Sequence, residues 1–356
     1  MKKALLIILL SIFALFIVVL VWLSSMFGSF IEGAMSVRKL DDGLYYMEYS
    51  GDDGFDELIA QGGVSNTEEL LPYVVSFMTN GFYTSPVSSV DSLDYGCSTL
   101  TVRTPEDSVL MGRNFDYMSA TGMILHCKPT KGYETITTFN MDLCNFGEDW
   151  VPEGFANQYM SLVGLFLALD GINEKGLAIA DLVAGDKVET HQNTKNLDFT
   201  TTVAIIYLLR NAATVDEALN LLRDIDMHSD IGCAHHYALS DATGRSVVVE
   251  YVDNEMFVVE TPVVTNHYLC EQKKNVGLID GDNRYDRLMK RTTESSGVMS
   301  LSSLNESIMS VSQGTQGDDF LGTAWTMVMN LTNPSVTYYS RRHFDKPFHF
   351  DFKSSR

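Results

Sequence analysis

The stretch Asp94–Tyr117, DYGCSTLTVRTPEDSVLMGRNFDY, sets a cysteine directly after a glycine and follows it, sixteen and nineteen residues on, with Arg113 and Asp116 of GRNFD. CSTLTVRT alternates, PEDS turns and VLMGRNFDY returns, so the spacing predicts a β-hairpin whose first strand starts at Cys97. A cysteine attacks a carbonyl as thiolate, and it needs a base, a positive neighbour and a donor for the developing oxyanion. No papain-like surroundings accompany Cys97, so a Cys–His protease is poorly supported. A different base becomes available if the Gly96–Cys97 bond is cut. The freed α-amine, with a pKa near 7.7–8.0, then sits on the same residue as the thiol and suits proton transfer at neutral pH.

The chain of 356 residues is 45% apolar and 20% charged, a globular composition with ample material for a core. Acidic residues outnumber basic ones 46 to 25, and the resulting charge of -21 argues against nucleic acid or anionic lipid as partner of the folded part. At the N-terminus, Lys2 and Lys3 precede Ala4–Leu23, an apolar run interrupted only by Ser11. As a helix this run covers the roughly 30 Å hydrocarbon core of a bilayer, longer than the apolar region of an ordinary signal peptide. The expectation is an uncleaved anchor with its lysines inside and the remainder outside, a secreted protein after signal cleavage being the alternative. The five cysteines are odd in number and widely scattered, so Cys127, Cys144, Cys233 and Cys270 read as core residues, with disulfides left open.

Three segments are expected: 1–27 as anchor or signal peptide, 28–96 as a helical prosegment, and 97–356 as the main domain. In the second, Ser65 or Asn66 caps a helix carrying Leu70, Leu71, Val74, Val75 and Met78 on one side. Further on, LALDGINEKGLAIADL predicts two strands about a turn in which Gly176 takes positive φ. TTVAIIYLLRNAATVDEALNLLRDI predicts two helices, the second started by a capping box at Thr214 and Glu217. Three strands follow between His235 and Tyr268, which makes the whole an α+β layered domain. His235 and His236 are adjacent on a strand and point to opposite faces, so they do not form a two-ligand metal site. Neither a phosphate-binding loop, nor HExxH, nor G-x-S-x-G, nor a calcium loop is present; no cofactor and no metal is expected.

From Gly96 to about Leu288, Cys97 with GRNFD, DGINEKGLAIA, ATVDEALNLL, LSDATGRSVVVE, VVTNHY and NRYDRL together resemble the Cys-type N-terminal nucleophile hydrolases. That family comprises choloylglycine hydrolases, penicillin V acylases, a penicillin acyltransferase and acid ceramidase. The resemblance implies a four-layer αββα sandwich of antiparallel sheets and hydrolysis of a linear carboxamide through a thioester on Cys97. It implies that Arg113 lies near the sulfur, that Asp116 holds the freed amine, that Asn266 offers its amide to the oxyanion, and that Arg284 completes the cluster in preference to Arg287. It also implies a small-molecule N-acyl amide substrate with an apolar acyl group. One departure stands out: where bile salt hydrolases continue GLN after NEKGLAIA-like residues, this chain has Val183 in place of the asparagine. An acyltransferase handing the same thioester to an amine, and a non-catalytic membrane-bound binding module, are the alternatives.

Overall fold

Gly96–Arg103 and Val109–Tyr117 pair antiparallel, with Gly96 opposite Asp116 and Cys97 opposite Phe115, so the hairpin expected from the alternation is present. The computed structural model describes residues 2–82, 96–117, 120–147, 150–229, 232–314 and 322–353. The first elements are α1 (Lys2–Ser36), β1 (Arg38–Asp41), β2 (Leu44–Gly51), α2 (Phe55–Ala60), α3 (Thr67–Met78), β3 (Gly96–Arg103), β4 (Val109–Tyr117), β5 (Gly122–Pro129) and β6 (Thr135–Asn140). Next come α4 (Phe155–Met160), β7 (Asp170–Asn173), β8 (Ala178–Val183), β9 (Leu197–Thr200), α5 (Thr201–Asn211), α6 (Val215–Arg223), β10 (Ile225–His228), β11 (His235–Ser240), β12 (Ser246–Val252), β13 (Glu255–Glu260) and β14 (Val263–Val264). The chain ends with α7 (Arg284–Glu294), α8 (Leu301–Ser310), β15 (Gly322–Asn330), β16 (Ser335–Ser340) and β17 (Phe348–Asp351).

Among the described residues, one sheet of nine strands runs β1-β2-β5-β6-β7-β8-β11-β12-β13 and a second of six runs β14-β3-β4-β15-β16-β17. Met111, Trp325, Met327 and Tyr338 of the smaller sheet meet Ile124, Ile136, Leu182 and Val248 of the larger one in a shared core. The outer face of the larger sheet is covered by α5 and α6 through Val203, Leu208, Leu219 and Leu222. The outer face of the smaller sheet packs on α7 and α8 through Leu288, Leu304 and Ile308. Helix, sheet, sheet, helix is the layer order expected, because each sheet is apolar on both faces and needs a cover on each.

The segment before Cys97 departs from the helical prosegment expected. It contributes two strands, and β2 pairs parallel with β5, so the larger sheet is not wholly antiparallel. The physical reason lies in LYYMEYSG: Leu44 and Tyr46 face the core between the sheets while Tyr45, Met47 and Tyr49 face the outer one, the pattern of an internal strand. Phe55, Leu58, Leu70, Val74 and Met78 of α2 and α3 join the same outer core. Asn66 caps α3 as anticipated, accepting from Glu69 N at 2.9 Å. Helix α1 is long and apolar enough to cross a membrane. Its side chains from Leu9 to Leu23 are exposed, whereas Phe30 and Ala34, two turns further on, are buried in the domain.

The DGINEKG turn is built as its sequence suggests. Gly176 has φ 89°, and a Cβ there would lie 2.0 Å from the Leu331 carbonyl. Asn173, fully buried, accepts from Lys175 N and Leu177 N and donates to the carbonyls of Leu209 and Ala212, tying the end of α5 to the β7–β8 hairpin. Asn173→Ala leaves these buried partners unpaired and is expected to lower unfolding free energy by about 3 kcal/mol, read from a denaturant titration. Helices α5 and α6 break where the capping box begins: Thr214 Oγ1 accepts from Glu217 N at 3.2 Å, and Glu217 reaches back to Ala213 N at 2.7 Å.

Candidate active site

The pleat of the β3–β4 hairpin distributes the chemistry. Arg113 is an odd neighbour of Met111 and Phe115 and points between the sheets with Cys97, whereas Asp116 shares the opposite face with Gly112 and Asn114, toward α7 and α8. Between the sheets Arg113 is fully buried. Its Nη2 donates to the Asp181 carbonyl at 2.9 Å, and its Nε faces Asp170 Oδ2 at 3.3 Å. Trp325 Nε1 donates to the same Asp170 oxygen at 2.9 Å, so the cation is fixed by β7 and β15 as well as by its own strand. The Cys97 sulfur lies 4.0 Å from the Asp181 carbonyl. Burial pushes the Cys97 thiol up, and the Arg113 guanidinium pulls it back down.

On the other side, Asp116 Oδ2 lies 3.2 Å from Arg284 Nη1, and Thr323 Oγ1 donates to Asp116 Oδ1 at 2.5 Å. Burial raises the Asp116 carboxyl while Arg284 and Thr323 lower it. Arg284 also donates to the Cys97 carbonyl at 2.9 Å and to Asn266 Oδ1 at 3.1 Å, and its remaining edge is held by Asp282. Asn266 follows β14, whose pairing of Val264 with Thr99 delivers it to the start of β3. There its Oδ1 accepts from Cys97 N at 2.6 Å, and its Nδ2 donates to the Val183 carbonyl at 2.9 Å. Gly96 has no room for a side chain: a Cβ would stand 2.9 Å from Asp116 Oδ2.

Cys97, Arg113, Asp116, Asn266 and Arg284 therefore converge within one buried cluster at the head of β3. Arg287 does not join it; it is exposed on α7, on the wall of a cavity of about 590 Å³ that opens on Gly96. That wall mixes Asn266, Asp282, Asn283, Arg284 and Gln313 with Ile279 and Val311. Asp170, Asp181, Asp282 and Thr323 were not singled out by the sequence. Asp170 opens the quoted DGINEKG motif and Asp282 stands two residues before Arg284, but nothing local ties Thr323 to Asp116 across 207 positions. His235 and His236 do diverge to opposite faces, the first on Asp181 and the second on Glu250. The five cysteines are all buried and unbridged.

The family model for linear amide C-N hydrolases, choloylglycine hydrolase family, matches residues 97–308, beginning on Cys97 itself. The chain belongs to that family. A penicillin V acylase from Pectobacterium atrosepticum is 29% identical over 124 residues, 31% of this chain and 33% of that protein, so the match spans about a third of the relative's length. Among solved structures, a variant of conjugated bile acid hydrolase from Clostridium perfringens superposes with a TM-score of 0.54 at 17% identity, covering 73% of this chain and 94% of that one. Penicillin V acylase from Agrobacterium tumefaciens gives 0.51 at 18% identity over 72% and 87% of the two chains. At such identities these two structures are evidence for the fold, and family membership rests on the model match.

Proposed function

We propose that this protein hydrolyses a linear N-acyl amide through a thioester on Cys97, after cutting its own chain between Gly96 and Cys97. The supporting observation is the division of labour at one residue: the thiol neighbours Arg113, the backbone nitrogen donates to Asn266, and the carbonyl accepts from the Arg284 that pairs with Asp116. In the maturation step the sulfur attacks the Gly96 carbonyl carbon, the Gly96–Cys97 C–N bond breaks, and the nitrogen leaves as the α-amine. Water then hydrolyses the thioester, freeing the Gly96 carboxylate and the thiol. In turnover the amine takes the thiol proton, the thiolate attacks the substrate carbonyl, and the second Nδ2 proton of Asn266 is available to the oxyanion; the substrate C–N bond then breaks as the α-ammonium returns its proton to the leaving amine, and water hydrolyses the acyl thioester to the acid and the thiol. Val183 offers only its main-chain carbonyl, which holds Asn266 in place instead of supplying the donor found in bile salt hydrolases.

The close contact between Gly96 and Asp116 supplies a direct test of the cutting step. Gly96→Ala displaces the scissile peptide from Asp116, and a misplacement of that order is expected to slow cleavage about a hundredfold. The measurement is the time course of full-length chain and Cys97–Arg356 fragment by intact mass; cleavage at the wild-type rate contradicts the proposed geometry.

For the substrate, the cavity beside Gly96, with Arg287 on its wall, suits the amine half of the amide. No carboxylate pairs with the Arg287 guanidinium among the described residues, which leaves it able to meet an anionic group there. Arg287→Ala is expected to raise KM for an N-acyl glycine about tenfold and to leave the corresponding N-acyl ethanolamide unchanged. Equal effects on both would remove the anion from the reading. We further propose that α1 stays in the membrane as an anchor with the domain outside, which protease accessibility in intact and permeabilised cells tests.

A further inference from the structure

His235 opens β11 on the face on which Tyr237 reaches the α5 layer through Thr201, and Cys233 lies in the bend two residues before it. Cys97 lies in the core between the two sheets, so this second thiol belongs to a different layer. The Cys233 sulfur is 3.6 Å from His235 Nε2, and His235 Nδ1 meets Asp181 Oδ2 at 2.7 Å. Thiol, imidazole and carboxylate thus stand in line, each ring nitrogen with its own partner.

Burial alone would push the His235 imidazole down, but the Asp181 carboxylate reverses this and raises it to about 10. At neutral pH the ring is a cation with one N–H on the carboxylate and the other toward sulfur. The carboxylate keeps the ring turned toward the sulfur, and a cationic N–H at that distance stabilises the leaving group of a reaction at sulfur. The remaining cysteines lack this company: burial pushes Cys127 and Cys97 up, Cys144 to about 12 and Cys270 to about 11. Cys233 is buried and keeps 9% of its surface open beside Gly232, which is exposed and donates to Glu189 at 2.6 Å.

We propose that Cys233, His235 and Asp181 form a second thiol site at which small hydroperoxides and soft electrophiles modify the sulfur. With hydrogen peroxide the thiolate sulfur attacks one oxygen and the O–O bond breaks. The sulfur is oxidised to a sulfenic acid, and the departing hydroxide takes the His235 Nε2 proton to leave as water. No oxidant beyond the peroxide is needed.

The test uses the folded full-length protein, limiting iodoacetamide, and mass spectrometry resolved by peptide. At pH 6.5 Cys233 is expected to alkylate at least about tenfold faster than Cys127, Cys144 or Cys270. His235→Gln should slow it at least about tenfold. After peroxide, dimedone should trap a sulfenic acid at Cys233 and not at Cys144. A rate at Cys233 no greater than at Cys144 overturns the site; alkylation without a trapped sulfenic acid overturns its peroxide chemistry. The comparison among the cysteines needs only the wild-type chain, so a His235 variant that fails to fold does not disable the test.

Discussion

Replacing Cys97 by alanine is expected to leave one uncut chain and to lower amide hydrolysis by at least about 10^5-fold, the scale on which nucleophile removal acts in acyl-transfer enzymes. In the proposed mechanism both effects come from one atom, the sulfur assigned to attack first Gly96 and then substrate. The fold should survive. Cys97 is a small side chain among Phe115, Leu182 and Trp325, and removing its sulfur leaves little empty volume. A melting curve near that of the wild type, beside a single full-length mass and no product from N-acyl glycines, conjugated bile salts or penicillin V, is the predicted outcome. Turnover persisting in Cys97→Ala would end the thioester reading. Wild-type protein that stays whole and still hydrolyses these amides would retain the thiol and remove the α-amine as base.

The second large effect concerns the segment before the cut. Eleven of its side chains, from Phe30 to Met78, lie in the core under the larger sheet, and each apolar one contributes about 1.5–3 kcal/mol by burial. Strand β2 adds a ladder of eight residue pairs with β5. The cleaved enzyme is therefore expected to run as two chains in denaturant and as one species under native size-exclusion conditions. A protein produced without residues 1–96 exposes that core and the β5 edge, and it should aggregate or show no cooperative unfolding transition. A soluble, cooperatively folding Cys97–Arg356 chain is the result that would contradict this.

Residues within a few positions of one another were legible from the chain alone. The β3–β4 alternation, the Gly176 turn, the cap at Asn66 and the Thr214–Glu217 box each follow from local rules, and each is in place. The five candidate site residues were singled out through spaced motifs and the family resemblance, and the structure brings them together. What escaped depends on contacts between distant segments. The strand Leu44–Gly51 carries apolar residues on both faces and so lacks the simple alternation that marks a half-buried strand. Thr323 reaches Asp116 only because β15 pairs with β4, and Asp170 reaches Arg113 only because two sheets face each other. The Cys233–His235–Asp181 line is similar. Two members are close in sequence, but the third arrives by the β8–β11 register.

Helix α1 has no break between its exposed apolar length and the turn that enters the domain. Leu23 is exposed and Phe30 is buried, and seven residues at 1.5 Å each leave a standoff of about 10 Å. If α1 is retained as a membrane anchor, the domain sits on a short rigid stalk instead of a tether. If the leader is also cut, the remaining chain, held by the buried strands and helices of that leader, would stay at the bilayer surface. Amphiphilic amides that partition into lipid would then meet it in two dimensions.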